Sequence, residues 1–161
     1  MATGPRFAVK FRRRREGKTN YKARLALLKS EEIRLVIRIT NTQVICQFIK
    51  YSEKGDKTIA EVHSSNLRKL GWTHSLRNLP AAYLTGYLLG KTAKVKKAIL
   101  DVGLQSKKRS RLFAAMKGVL DAGVEIPHDS KILPPEERIR GAHINLEKEF
   151  ESVKKKINEK K

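Results

Sequence analysis

Large aliphatic residues occupy every second position from Ile33 to Ile39 in the segment IRLVIRIT, with Arg34, Val36, Arg38 and Thr40 between them. A period of two places Ile33, Leu35, Ile37 and Ile39 on one face of a β-strand, against a core, and both arginines on the other, which reads as an open face. Asn41 and Thr42 predict a tight turn into a second strand, QVICQFIKY at 43–51, and Gly55 with Asp56 a turn into a third strand near 57–62. Three strands joined by short turns form an antiparallel meander.

The next segments change period. After a polar stretch at 63–78, Pro80 stands where the first turn of a helix accepts it, and AAYLTGYLLGKTAKVKKA predicts one long helix over 81–98. AILDVG at 98–103 reads as a short buried strand, RLFAAMKGVLDAG at 111–123 as a helix stopped by Gly123, and 124–126 as a fifth short strand. A helix between two strands requires a crossover, so parallel pairs join the antiparallel ones and the fold class is α/β with a mixed sheet. Leu146, Phe150, Val153 and Ile157 give a C-terminal helix one apolar seam, which must pack on the domain or on a partner.

Charge points to the partner. The 161 residues include 36 Lys and Arg against 16 Asp and Glu, a formal +20, and residues 1–30 alone carry +9. Such an imbalance says nothing about fold but implies a polyanion. A membrane is the rival polyanion, yet no apolar run approaches the roughly 18–20 residues of a spanning helix, and the N-terminus lacks a signal peptide's apolar stretch. A lone Cys46 within a strand fits a reducing compartment, so a cytoplasmic protein is expected.

The chain therefore divides into a basic arm at 1–20, an α/β core at 21–130 and a helical tail at 131–161. In the arm, Arg12–Arg15 repel one another and little apolar surface is available to bury, which predicts a segment without structure in the free state. Arginine pairs with phosphates through a planar fork and stacks on bases, while Phe7, Phe11 and Tyr21 lie among the charges as stacking platforms for unpaired bases. The segment YKARLALLK at 21–29 predicts a short basic helix with Leu25 and Leu28 on one face.

Other motifs are weaker. The string Gly86-Tyr-Leu-Leu-Gly90-Lys91-Thr92 has three residues between its glycines where a phosphate-binding loop needs four, and it lies inside a helix; close helix packing explains it better. His63, His74, His128 and His143 lack the spacing of a metal site, and no cofactor is expected. Asp101 ends a central strand, where a metal-dependent nuclease would place a carboxylate, but no second carboxylate is clearly placed to join it, so it reads as a structural residue. A DNA-compacting protein is a further alternative from charge alone.

Ordered strings then resemble one family along nearly the whole chain: ATGPR at 2–6, RRRRE at 12–16 with Thr19 and Tyr21, RLALLKS at 24–30, RLV at 34–36, HSSNL at 63–67, GW at 71–72, LPAAYLTGYLLG at 79–90, ILDVGL at 99–104, DAGVEIPH at 121–128 and RGAHI at 140–144. These are similar to the large-subunit ribosomal proteins that hold 5S rRNA, number eighteen in the bacterial and archaeal naming, in their archaeal form. The resemblance implies a ribonuclease-H-like fold and a structural, non-enzymatic role: anchoring 5S rRNA to the large-subunit rRNA in the central protuberance, beside neighbouring large-subunit proteins, with no membrane or small-molecule substrate. It carries RNA contact onto Arg6, Lys10, Arg12, Arg13, Arg14, Arg15, Lys18, Asn20, Tyr21, Lys22 and Arg24, and further onto Arg34, Arg38, Asn41, His63, Ser64 and Ser65.

Overall fold

A computed structural model describes residues 4–105 and 110–159 of the chain, so the first three residues of the basic arm lie outside the described residues. Strands β1 (Arg34–Ile39), β2 (Val44–Lys50), β3 (Lys57–His63) and β4 (Ile99–Asp101) form one sheet in the order β3-β2-β1-β4. The first three make the antiparallel meander, and β4 pairs with β1 in parallel, Val36 opposite Asp101. The fold is α/β with a mixed sheet, as the change of period requires. The expected fifth strand reduces to a single parallel bridge between Lys97 and Glu125.

Leu35, Ile37, Val44, Cys46 and Phe48 are fully buried on the inner face of the sheet. Beneath it lie α3 (Leu79–Thr92) and α4 (Arg111–Asp121). Their contact depends on glycine. A methyl group added at Gly86 would lie 1.9 Å from the Ala115 carbonyl oxygen, and one at Gly118 would lie 2.1 Å from the Tyr83 carbonyl oxygen. Each helix thus presses its backbone into a gap in the other, so the glycines of the phosphate-loop lookalike are packing residues. Burial raises the Cys46 thiol pKa to about 12, consistent with a small hydrophobe rather than a reactive thiol.

Two boundaries differ from expectation. Asn78 caps α3 by accepting the Ala81 N–H at 2.9 Å, but the helix stops at Thr92 instead of continuing to 98. Ala93 turns extended, and the chain then bonds 124–126 through Ala98 N–H to the Glu125 carbonyl and Glu125 N–H to the Lys96 carbonyl. The segment read as a polar loop contains a 3-10 helix, Ser64–Leu70, which buries Leu67 and Leu70.

The C-terminal seam packs on this same body. Helices α5 (Glu136–Arg140) and α6 (Glu147–Glu159) fold back across α3, burying Leu146, Phe150, Val153 and Ile157. Phe150 meets Tyr83 at a ring separation of 5.4 Å. Lys154 lies over the Tyr83 and Tyr87 rings and donates to the Tyr83 hydroxyl, while the Tyr87 hydroxyl donates to Asn158 at 2.6 Å.

Candidate RNA interface

The basic N-terminal segment leads to a helix that is tied to the outer face of the sheet through Asp56. Arg6 and Lys10 are exposed on a turn and an extended stretch. Arg12–Arg15 form a single helical turn, α1, all of it exposed. Where charge repulsion predicts no structure, three local contacts hold this turn. Arg13 Nε donates to Thr19 Oγ1 at 2.9 Å, Lys18 N–H donates to the Arg13 carbonyl at 2.8 Å, and the Phe11 and Tyr21 rings meet at 5.2 Å. Glu16 supplies counter-charge to Arg12 and Lys18.

The arm leads into α2 (Tyr21–Leu28). Asn20 is its N-cap, accepting the Ala23 N–H at 3.2 Å, which satisfies one of the donors left free at a helix start. Lys22 is exposed and Tyr21 half-buried. No residue of α2 is fully buried, and Leu25 is 56 % exposed. Its apolar residues fall around the helix instead of forming the expected stripe, and only part of them turn toward the sheet.

Five charged residues form a chain from α2 across the strands. Asp56, in the turn after β2, accepts from Arg24 of α2 at 3.0 Å and from Arg34 of β1 at 2.6 Å. Asp101 accepts from Arg34 on one oxygen and from Arg38 and the Gly103 N–H on the other. Arg34 is only 3 % exposed. The outer face expected to be open is therefore closed at this position, because two carboxylates surround the guanidinium. Burial alone would raise the Asp101 carboxyl, but the Arg38 hydrogen bond and charge, the Gly103 N–H and the Arg34 charge outweigh it and hold it below the usual carboxylate range. With both oxygens taken by cations and a backbone donor, Asp101 is a structural ion-pair residue. Among the described residues no group of His, Cys, Asp and Glu could hold a metal ion.

Arg38 is partly exposed. Its guanidinium donates to the Ile37 carbonyl and to the backbone and side chain of Asp101 at 2.8–3.0 Å. Beside it, α2 and the segment Leu100–Gln105 enclose a cleft of about 640 Å³, also lined by Arg13, Lys18 and Asn20.

The remaining candidates gather at the turn end of the sheet. Asn41 is exposed, and its carbonyl accepts from Arg77 at 2.8 Å. His63 ends β3 against Glu61, whose carboxyl is held low by hydrogen bonds from Gln47 and His63. Ser64 is fully buried and its hydroxyl accepts the Val44 N–H at 3.1 Å, so its polar atom serves the fold; Ser65 is exposed. Arg13, Lys18, Asn20, Arg24 and Arg38 thus share one cleft, Asn41 and 63–65 form a second group, and Arg6 and Lys10 belong to neither. The cleft residues Ala23, Leu100, Val102 and Leu104 were not anticipated, since no local pattern links two segments so far apart.

The sequence model of the family described as "Ribosomal large subunit proteins 60S L5, and 50S L18" matches residues 5–97 and 91–129. The large ribosomal subunit protein uL18 of Korarchaeum cryptofilum is 57 % identical over 148 residues, covering 89 % of this chain and 76 % of the relative. The chain belongs to the uL18 family. Similar agreement extends to uL18 of Methanothermobacter thermautotrophicus, 50 % identical with 89 % of this chain and 77 % of the relative covered. For uL18 of Methanothrix thermoacetophila the identity is 46 %, over 98 % of this chain and 99 % of the relative. Membership in uL18 makes the chain a structural, non-enzymatic component of the large ribosomal subunit. Among the described residues no helix is long and apolar enough to cross a membrane.

Proposed function

We propose that this uL18 protein binds 5S rRNA through its basic arm and α2 and anchors that RNA to the large-subunit rRNA in the central protuberance. The observation that carries the reading is the exposed helical turn Arg12–Arg15, joined through the Phe11–Tyr21 contact to the basic helix α2, which Arg24 and Asp56 tie to β1. Guanidinium groups there reach phosphates in pairs, and the exposed rings of Phe7 and Phe11 offer platforms to unstacked bases. Asn41, His63 and Ser65 supply further polar contact along the turn end of the sheet. Residues 1–20 act as the RNA-gripping arm and 21–130 as the body that sets its register.

Hydroxyl-radical footprinting of 5S rRNA with the full chain and with a chain lacking residues 1–16 tests this reading. The full chain protects a continuous tract; the truncated chain melts at nearly the same temperature and loses that protection. Equal protection by both chains would move the RNA site elsewhere, and equal affinity for duplex DNA in salt-matched competition would make the binding nonspecific.

A further inference from the structure

The cleft between α2 and the end of β4 has two kinds of wall. Ala23 and Leu27 on α2 face Leu100, Val102 and Leu104 across it, so the interior is largely apolar. Arg13, Lys18, Arg24 and Arg38 add positive charge to the lining, offset in part by Glu16 at Lys18 and Asp56 at Arg24. Asp101 is the lining's only acid among the described residues, and both its oxygens are occupied. An apolar interior with a cationic border matches a flat heteroaromatic group attached to a phosphate. Its volume of about 640 Å³ falls within the ~300–1,000 Å³ typical of sites that enclose a small organic group.

Arg38 gives the cleft a stacking surface. Three hydrogen bonds fix its guanidinium, so little side-chain freedom remains to be lost on binding. Gly103 sits over the centre of that guanidinium: a methyl group there would lie 3.2 Å from the Cζ carbon and 3.4 Å from each terminal nitrogen. Gly103 thereby backs one face of the plane, and the side chain, still 43 % exposed, lines the cleft. Unstacked RNA bases pack on guanidinium planes of this kind.

We infer that the cleft between α2 and Leu100–Leu104 receives one unstacked nucleotide of the bound RNA, its base among Ala23, Leu27 and Val102 beside Arg38 and its phosphate at Arg13 and Lys18. The inference rests on the 5S rRNA reading above and adds a base-binding site to a surface otherwise argued from phosphate contacts.

Ala23→Phe fills the cleft from an exposed helix position without altering charge. Chemical probing of base reactivity on 5S rRNA then separates the outcomes. Wild type protects a discrete unpaired base; Ala23→Phe restores its reactivity, lowers affinity about tenfold or more, and keeps both the backbone protections and the salt slope. A second measurement does not depend on that variant. Leu104→Cys carrying a short photo-crosslinker, with Cys46 shielded by burial, gives an adduct at the same nucleotide. Unchanged affinity and base reactivity in Ala23→Phe, or adducts scattered over the RNA, would overturn the base site while leaving 5S rRNA binding intact. Adenosine monophosphate saturating the cleft at micromolar concentration without displacing RNA would also overturn it. No binding of 5S rRNA by the wild-type chain would remove the underlying reading instead.

Discussion

Arg34 on β1 and Asp101 on β4 lie 67 positions apart and meet at 3.1 Å in an ion pair whose arginine is almost wholly buried. Removing one partner of a buried pair leaves the other without compensation, which costs about 3–5 kcal/mol. Asp56 still neutralises part of Arg34, so Asp101→Asn should lie near the lower end of that range. Because the folded Asp101 carboxyl is held low, its contribution is present above the ordinary value near ~3.9 and is lost as pH falls through the depressed folded value. Melting curves should show a wide gap between wild type and Asp101→Asn at neutral pH that narrows on acidification; parallel curves would place the stabilisation elsewhere.

Asp56 ties α2 to β1 through Arg24 and Arg34. Asp56→Asn makes the protein more positive by one charge, which taken alone strengthens RNA binding. The expected result is the opposite: weaker 5S rRNA binding, because α2 loses its fixed position over the sheet. A gain in affinity would show that the helix needs no such tether.

Gly86→Ala drives a methyl group into the Ala115 carbonyl of α4. Backbone cannot move aside as a flexible side chain can, so the helices must separate, at a cost at or above the ~1–3 kcal/mol usual for overpacking. Gly90→Ala meets mainly the Ala122 side chain, at the end of α4, and should cost less. Denaturant unfolding of the two variants orders them; the reverse order would contradict the packing described.

Phe150→Ala empties a site that is 3 % exposed between α6 and Tyr83. A loss of about 3–5 kcal/mol follows for a buried aromatic. Chemical denaturation measures it, and an unchanged midpoint would mean that α6 does not hold α3.

Arg13 lies at the mouth of the cleft, in the turn that heads α2. Arg13→Ala should reduce the slope of log affinity against log salt by about 0.7–0.9 if one counterion is displaced there. Arg13→Lys keeps the charge and hence the slope, while affinity falls through loss of the planar fork. An unchanged slope in Arg13→Ala would place the phosphate contacts on other residues.

The hairpin of β1 and β2 was legible because alternation is local: Leu35 and Ile37 face the core at the spacing that a strand imposes. The start of α3 was legible for the same reason, with Pro80 inside its first turn; its cap at Asn78 emerged only from the structure. Its end was not. Ala93 turns extended so that 96–98 can reach Glu125, a partner that no short window contains. The C-terminal seam could be read as a helix face, but α3 as its docking surface could not. The 3-10 helix after β3 left a trace in Leu67 and Leu70, three apart within otherwise polar residues. As for the interface, the arginine run was plain from composition, whereas Arg34, Asp56 and Asp101 are separated by 22 and 67 positions and nothing local marks them as partners. Alternation placed Arg34 correctly on the face away from the core, yet it could not reveal that this face is covered there.

Helix α6 reaches back across α3, so the chain's own direction of synthesis imposes an order on folding. The strands and α3 emerge before α6, and until α6 packs on α3 Tyr83 and its neighbours keep an apolar flank turned to solvent. Nascent chains in that interval are prone to aggregate or to recruit a chaperone. A chain that lacked α6 would keep that flank uncovered for good.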